Sequence, residues 1–98
     1  MKILSTVKMI EVGLKIKQLK EKQQSLIRSI NTAERSSNMS DAKEFGEELY
    51  LVEEQALMLA KIQQLVIQRE KNKNLPSREL DDLINTYQST YKETIQYD

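Results

Sequence analysis

The feature that most constrains this chain is one apolar seam that occurs twice, on either side of a short loop. Before the loop it reads Met9, Val12, Ile16, Leu19, Gln23, Leu26, Ile30 and Ala33. After the loop it reads Phe45, Leu49, Val52, Ala56, Leu59, Gln63 and Val66. Steps of three and four residues alternate throughout. Such spacing draws one stripe along a long α-helix that packs against another helix. Two stripes of similar length, separated by Ser36-Ser37-Asn38-Met39-Ser40, predict an antiparallel helical hairpin.

Composition supports few, long helices within a single domain over residues 1–98. Apolar residues are 39% of the chain and charged residues 31%, a balance typical of solvent-facing helices. Two Gly and one Pro leave few places to turn. No stretch alternates β-branched with polar residues, so no sheet is expected. With neither Cys nor His, zinc sites of the usual kind, thiolate nucleophiles and a histidine general base are excluded. The longest unbroken apolar run is Ala56 to Ala60, against the ~20 residues a membrane-spanning helix requires. Met1-Lys2-Ile3-Leu4 begins like a signal peptide, but Lys8 and Glu11 interrupt it and no cleavage site follows. A cytoplasmic location is the expectation. Abundant Lys, Ile, Asn, Glu and Gln suit an AT-rich bacterial or phage genome.

Helix 1 is expected over about residues 3–35, with Gly13 inside it as either a tolerated small residue or the mark of a close helix crossing. Ser40 or Asp41 is the expected N-cap of helix 2, and Asp41 with Glu44 has capping-box spacing. Helix 2 then runs over about residues 41–71. Pro76 disfavours helical geometry at Leu75. Ser77 is the next expected cap, and Glu79, Asp81 and Asp82 suit the positive end of a helix dipole. Helix 3 is expected over about residues 78–95, with Leu80, Leu83, Ile84, Tyr87, Tyr91 and Ile95 on its apolar face.

The apolar faces widen away from the loop. Helix 1 adds Ile3, Leu4, Val7, Ile10 and Leu14; helix 2 adds Leu57, Met58, Ile62, Leu65 and Ile67. A broad apolar circumference calls for cover on several sides. Helix 3 is therefore expected to fold back on the open end, giving an all-α bundle of three helices there and a two-helix spike at the loop. Charge alternates along the chain in the same sense. Residues 1–35 carry eight bases and three acids, residues 36–60 one base and six acids, residues 61–78 five and one, and residues 79–98 one and five. The hairpin would bring Arg28 and Arg35 toward Glu44, Glu47 and Glu48. Helix 3 would bring Glu79, Asp81 and Asp82 to the crowded bases Lys2, Lys8, Arg69, Lys71 and Lys73. The narrow seam at the tip, around Leu19, Leu26, Phe45 and Leu49, would remain under-covered, which suggests a two-fold dimer.

Little here points to chemistry. Glu47-Glu48, Glu53-Glu54 and Asp81-Asp82 are neighbours that diverge by about 100° on a helix, so they are not preformed acid–base pairs. Helical chorismate mutases resemble this chain in length and in their long first helix. Arg28, Lys43 and Gln88 would have to serve the dianion, and the family's early arginine and its Arg-Glu pair have no counterpart here. The hairpin layout is also similar to the Trp-x-Gly secretion proteins, but the chain has no Trp, and to small helical co-chaperones of type III secretion. Nucleic acid is disfavoured by a net charge of +0, despite Lys15, Lys17, Lys20 and Lys22.

The sequence thus suggests a non-enzymatic helical interaction protein, an adaptor, chaperone-like subunit or inhibitor. It would contact a second copy of itself and another protein, and would need no metal or cofactor. Leu26, Phe45, Leu49, Tyr50, Tyr87 and Tyr91 are the candidate partner-binding residues. The alternative is an oligomeric binder of a small anion such as a nucleotide, contacted by Arg69, Lys71, Lys73 and Arg78.

Overall fold

The computed structural model describes residues 7–72 and 78–95. They form three helices, α1 (Met9–Arg35), α2 (Met39–Lys71) and α3 (Arg78–Tyr91), and no strand. Helices α1 and α2 pack side by side along their length, and α3 packs on α2. The molecule is an all-α rod of 60 × 21 × 19 Å.

The repeated seam is the packed interface. Val12, Leu19, Leu26 and Ala33 of α1 are buried, as are Val52, Leu59 and Val66 of α2. Every second member of the α1 stripe from Val12 on, and of the α2 stripe from Val52 on, reaches the centre, while Ile16, Phe45, Leu49 and Ala56 pack around it half-buried. Ile62 lies off this stripe and is nevertheless fully enclosed, because α3 covers that side of α2 with Leu80, Ile84 and Tyr87.

The loop is tighter than its composition implies. It is Ser36-Ser37-Asn38, and α2 begins at Met39. Ser37 adopts φ 57°, Asn38 N–H donates to Ala33 O and Ser37 N–H to Glu34 O. That pair of bonds is a Schellman motif, which satisfies the last carbonyls of α1. Asn38 then caps α2, accepting from Asp41 N–H at 3.2 Å and donating to its carboxylate at 2.7 Å. The expected caps Ser40 and Asp41 are therefore corrected to Asn38, with Asp41 in the third helical position. Asn caps as well as Ser does, and here it also closes the preceding helix.

Two further boundaries differ. Residues 1–6 lie outside the described residues, and Val7 and Lys8 are not helical. Lys8 has ψ 91°, and Val7 turns into the core at 3% exposure. Helix α3 ends at Tyr91 because Lys92 is left-handed, φ 58°. Its N–H still bonds Gln88 O, which closes the last turn. The chain beyond is extended enough to bury Ile95, whose N–H donates to Gln88 Oε1 at 2.9 Å. Ser77 and Lys73 lie outside the described residues.

Gly13 marks no helix crossing. A Cβ there, or at Gly46, would meet nothing within 4 Å.

Candidate interaction surface

Helix α2 has three faces, and they differ in what covers them. The stripe Phe45, Leu49, Val52, Ala56, Leu59, Gln63, Val66 faces α1. The stripe Gln55, Met58, Ile62, Leu65, Arg69 faces α3; Gln55 bonds Tyr87, and Leu65 and Arg69 line a pocket with Leu80. A third stripe is Gly46, Tyr50, Glu53, Leu57, Ala60, Gln64 and Ile67, again at alternating steps of four and three. It is the first stripe shifted by one residue, so it lies about 100° further round the helix. Tyr50 is 61% exposed and Leu57 66%, and Ile67, Ala60, Glu53 and Gln64 are exposed with them. Ile10 and Leu14 form a second exposed pair, one turn apart on α1.

This distribution differs from the expected one in which residues are open. The tip seam closes on itself: Leu26 is buried at 7% exposure, and Phe45 and Leu49 pack half-buried against the core. Leu26 is thereby removed from the partner-binding set. Exposed apolar surface lies on outer faces in both halves: Ile27, Met39, Tyr50 and Leu51 toward the loop, and Ile10, Leu14, Leu57 and Ile67 toward the open end. Helix α3 was expected to cover that end, and it covers Ile62 and packs with Met58 and Leu65. It leaves Ile10, Leu14, Leu57 and Ile67 in water, because it lies along one side of α2 and not against the backbone of α1.

Tyr87 is also corrected. It is fully buried, so its face of α3 is an inner one. Its ring tilts at 45° to Tyr91, with centroids 5.0 Å apart, an arrangement in which aromatic rings attract. Tyr91 itself is half-buried. The Tyr87 hydroxyl donates to Glu93 Oε1 at 2.9 Å and accepts from Gln55 Nε2 at 2.9 Å, and Gln55 also reaches Glu93 at 3.3 Å. Lys15 Nζ approaches the other oxygen of Glu93 at 2.9 Å. This network ties α1, α2 and the segment after α3 together. Burial pushes the Tyr87 hydroxyl well above its ordinary value, opposed by the Gln55 hydrogen bond and helped by Glu93. Burial alone would raise Glu93; the bonds from Lys15 and Tyr87 together outweigh it and hold the carboxyl low. Nothing in the linear pattern of Lys15, Gln55, Tyr87 and Glu93 announces the network, and the sequence offers Leu57 and Ile67 only as part of a widened apolar face expected to lie under helix 3.

The ion pairs are fewer than charge counts suggest. Glu48 pairs with Lys22 at 3.4 Å, not with Arg28. Among the described acids at the start of α3, Asp82 reaches only Arg78, four residues earlier, at 4.0 Å. Of the expected anion-binding residues, Arg69 and Arg78 share one pocket, lined also by Gln68, Leu80, Glu79 and Asp82. Arg69 is half-buried and its Nη2 is enclosed with no hydrogen-bond partner among the described residues. Lys71 is exposed, and Lys73 is outside the described residues. Two acids thus face two bases.

Among the described residues no three acids stand close enough to hold a metal ion, and no helix is long and apolar enough to cross a membrane. Compared with protein-family models, curated proteins and solved structures, the chain matches none.

Proposed function

We propose that this chain is a non-enzymatic helical interaction protein that acts, as an adaptor, chaperone-like subunit or inhibitor, through protein–protein contacts and self-association. The observation that carries this reading is the third stripe of α2. Tyr50, Leu57 and Ile67 stay in water although the core beside them is closed. Single exposed apolar residues need no explanation, but Tyr50, Leu57, Ala60 and Ile67 recur on one helical face, with Glu53 and Gln64 between them, and such a face is the form in which one helix packs on another. The absence of His and Cys from the whole sequence narrows any competing catalytic reading.

Cross-linked capture from the native host tests the proposal. Tyr50→Asp/Leu57→Asp should lose a protein, either a second copy or another chain, that the wild type retains. Circular dichroism should stay unchanged, since both side chains lie outside the core. If every captured species survives both this variant and Ile10→Asp/Leu14→Asp, the reading is wrong.

A second reading, a small-anion site, is favoured by the enclosed and unpartnered Arg69 Nη2. A buried donor without a partner is costly, and an anion would satisfy it. Glu79 and Asp82 in the same wall oppose an anion. A thermal-shift series with phosphate and nucleotides tests it, because a ligand bound only by the folded state raises its melting temperature.

A further inference from the structure

The open stripe of α2 has an internal order that selects its occupant. Its first half lies in the acidic part of the helix, where residues 39–56 carry six acids and one lysine. Its second half lies in the basic part, where residues 57–71 carry three bases and one acid. A helix charged in this way repels a parallel copy of itself and attracts an antiparallel one.

The geometry points to a second copy of this chain as the occupant, packed α2 against α2 in antiparallel sense about a two-fold axis between Leu57 and Ala60. This rests on the self-association part of the reading above and adds its face, direction and register. Laid antiparallel in that register, the stripes match layer by layer. Leu57 meets Ala60 of the second copy, large against small. Tyr50 meets Ile67, apolar against apolar. Glu53 meets Gln64, which can donate to its carboxylate. By two-fold symmetry each contact occurs twice. On the flank nearer α3, Glu54 comes opposite Lys61 of the second copy, again twice. Lys61 is exposed and has no ion pair among the described residues. A parallel pairing would set Glu53 against Glu53 in the seam. Helices α1 and α3 pack on the other two faces of α2, and the end of α3 borders the stripe, where Tyr91 feels Glu54 and Tyr50. The result is a six-helix assembly with the two α2 helices at its centre.

The absence of cysteine from the chain makes the register directly readable. Mixing the Tyr50→Cys chain with the Ile67→Cys chain under mild oxidation should give the mixed disulfide, and Tyr50→Cys alone should not cross-link to itself. Light scattering of the wild type should give twice the chain mass of 11.5 kDa. Leu57→Asp should return it to one chain mass. Lys61→Glu should weaken the dimer about tenfold or more, and Glu54→Lys/Lys61→Glu should restore it, because each reversed charge then faces its complement again. A wild type that is monomeric at several hundred micromolar overturns the dimer; the function reading then stands or falls on the capture experiment. A dimer that ignores Leu57→Asp, or a Tyr50→Cys chain that links to itself, overturns the face or the direction while leaving self-association intact.

Discussion

The two ends of the hairpin solve the same problem with different completeness. At the loop, two helices with one narrow stripe each bury Leu26, Ala33 and Val52 against one another, and a three-residue turn bonds both helix ends. Ile27, Met39, Tyr50 and Leu51 nevertheless stay exposed in this half. At the open end a third helix is present and the enclosure is deeper. Leu59, Ile62 and Tyr87 are almost wholly hidden. Yet this end also leaves Ile10, Leu14, Leu57 and Ile67 in water. A wide apolar circumference therefore does not show which side a third element will cover. One helix laid on α2 can shield only one additional side of it.

The sharpest test of that contrast is a set of truncations read by urea unfolding. Ile62→Ala should cost about 4 kcal/mol and Leu26→Ala about 2–3 kcal/mol, since the cost of a cavity rises with how fully it is enclosed. Leu57→Ala, removing a comparable side chain from the open stripe, should stay within about 0.5 kcal/mol. Equal losses at Leu26 and Leu57 would erase the distinction between the closed seam and the open one.

The polar network at the open end comes next. Tyr87→Phe removes one hydroxyl and costs Gln55 and Glu93 one hydrogen bond each, leaving the Gln55–Glu93 bond and the Lys15 pair, for an expected loss of about 1–2 kcal/mol. It also has a pH signature. The folded-state pKa of Tyr87 is raised. Its contribution is thus fully present below the ordinary tyrosine value near pH ~10 and is lost as pH rises above it. The wild type should destabilise in that alkaline range more steeply than Tyr87→Phe. Glu93 carries the opposite sign. Its folded pKa is lowered, so its contribution is present at neutral pH and is lost as pH falls through the acid range. Melting temperatures from pH ~5 downward should fall faster for the wild type than for Glu93→Gln. No such difference is expected at the loop, where no comparable buried ionisable pair stands among the described residues.

The smallest effects concern the backbone. Ser37 is left-handed, so Ser37→Gly should stabilise the tip by about 1 kcal/mol. At the open end Gly13→Ala should gain up to ~1 kcal/mol through helix propensity, because open space surrounds the added methyl. A loss at Gly13 would reveal a close approach to a second molecule at that point.

The number of helices, their order and the stripe that joins α1 to α2 were all legible in the residues. A helix period written over four turns or more leaves few alternative packings. The end of α2 at Lys71 was legible for the same reason, with Asn72 and Pro76 following. The start of α1 was not, since the apolar steps continue through Val7 although that residue is buried from an extended segment. Residue type does not single out Asn38 as the cap, since Ser40 and Asp41 cap equally well, and only the bond geometry separates them. The candidate surface fared worst at Leu26 and Tyr87, whose burial depends on what lies across from them. Tyr50 stays exposed at the border between α2 and the end of α3, where Tyr91 lies near it.

By itself, then, the sequence determined local periodicity: which segments are helical, which stripe is apolar, and that no His or Cys chemistry is available. Tertiary structure alone decided on which side of α2 the third helix lies, and hence which of two adjacent stripes is core and which is surface. Both stripes carry the same three–four spacing. Periodicity places a residue around its own helix axis, and burial depends on the position of other axes, which no single helix encodes.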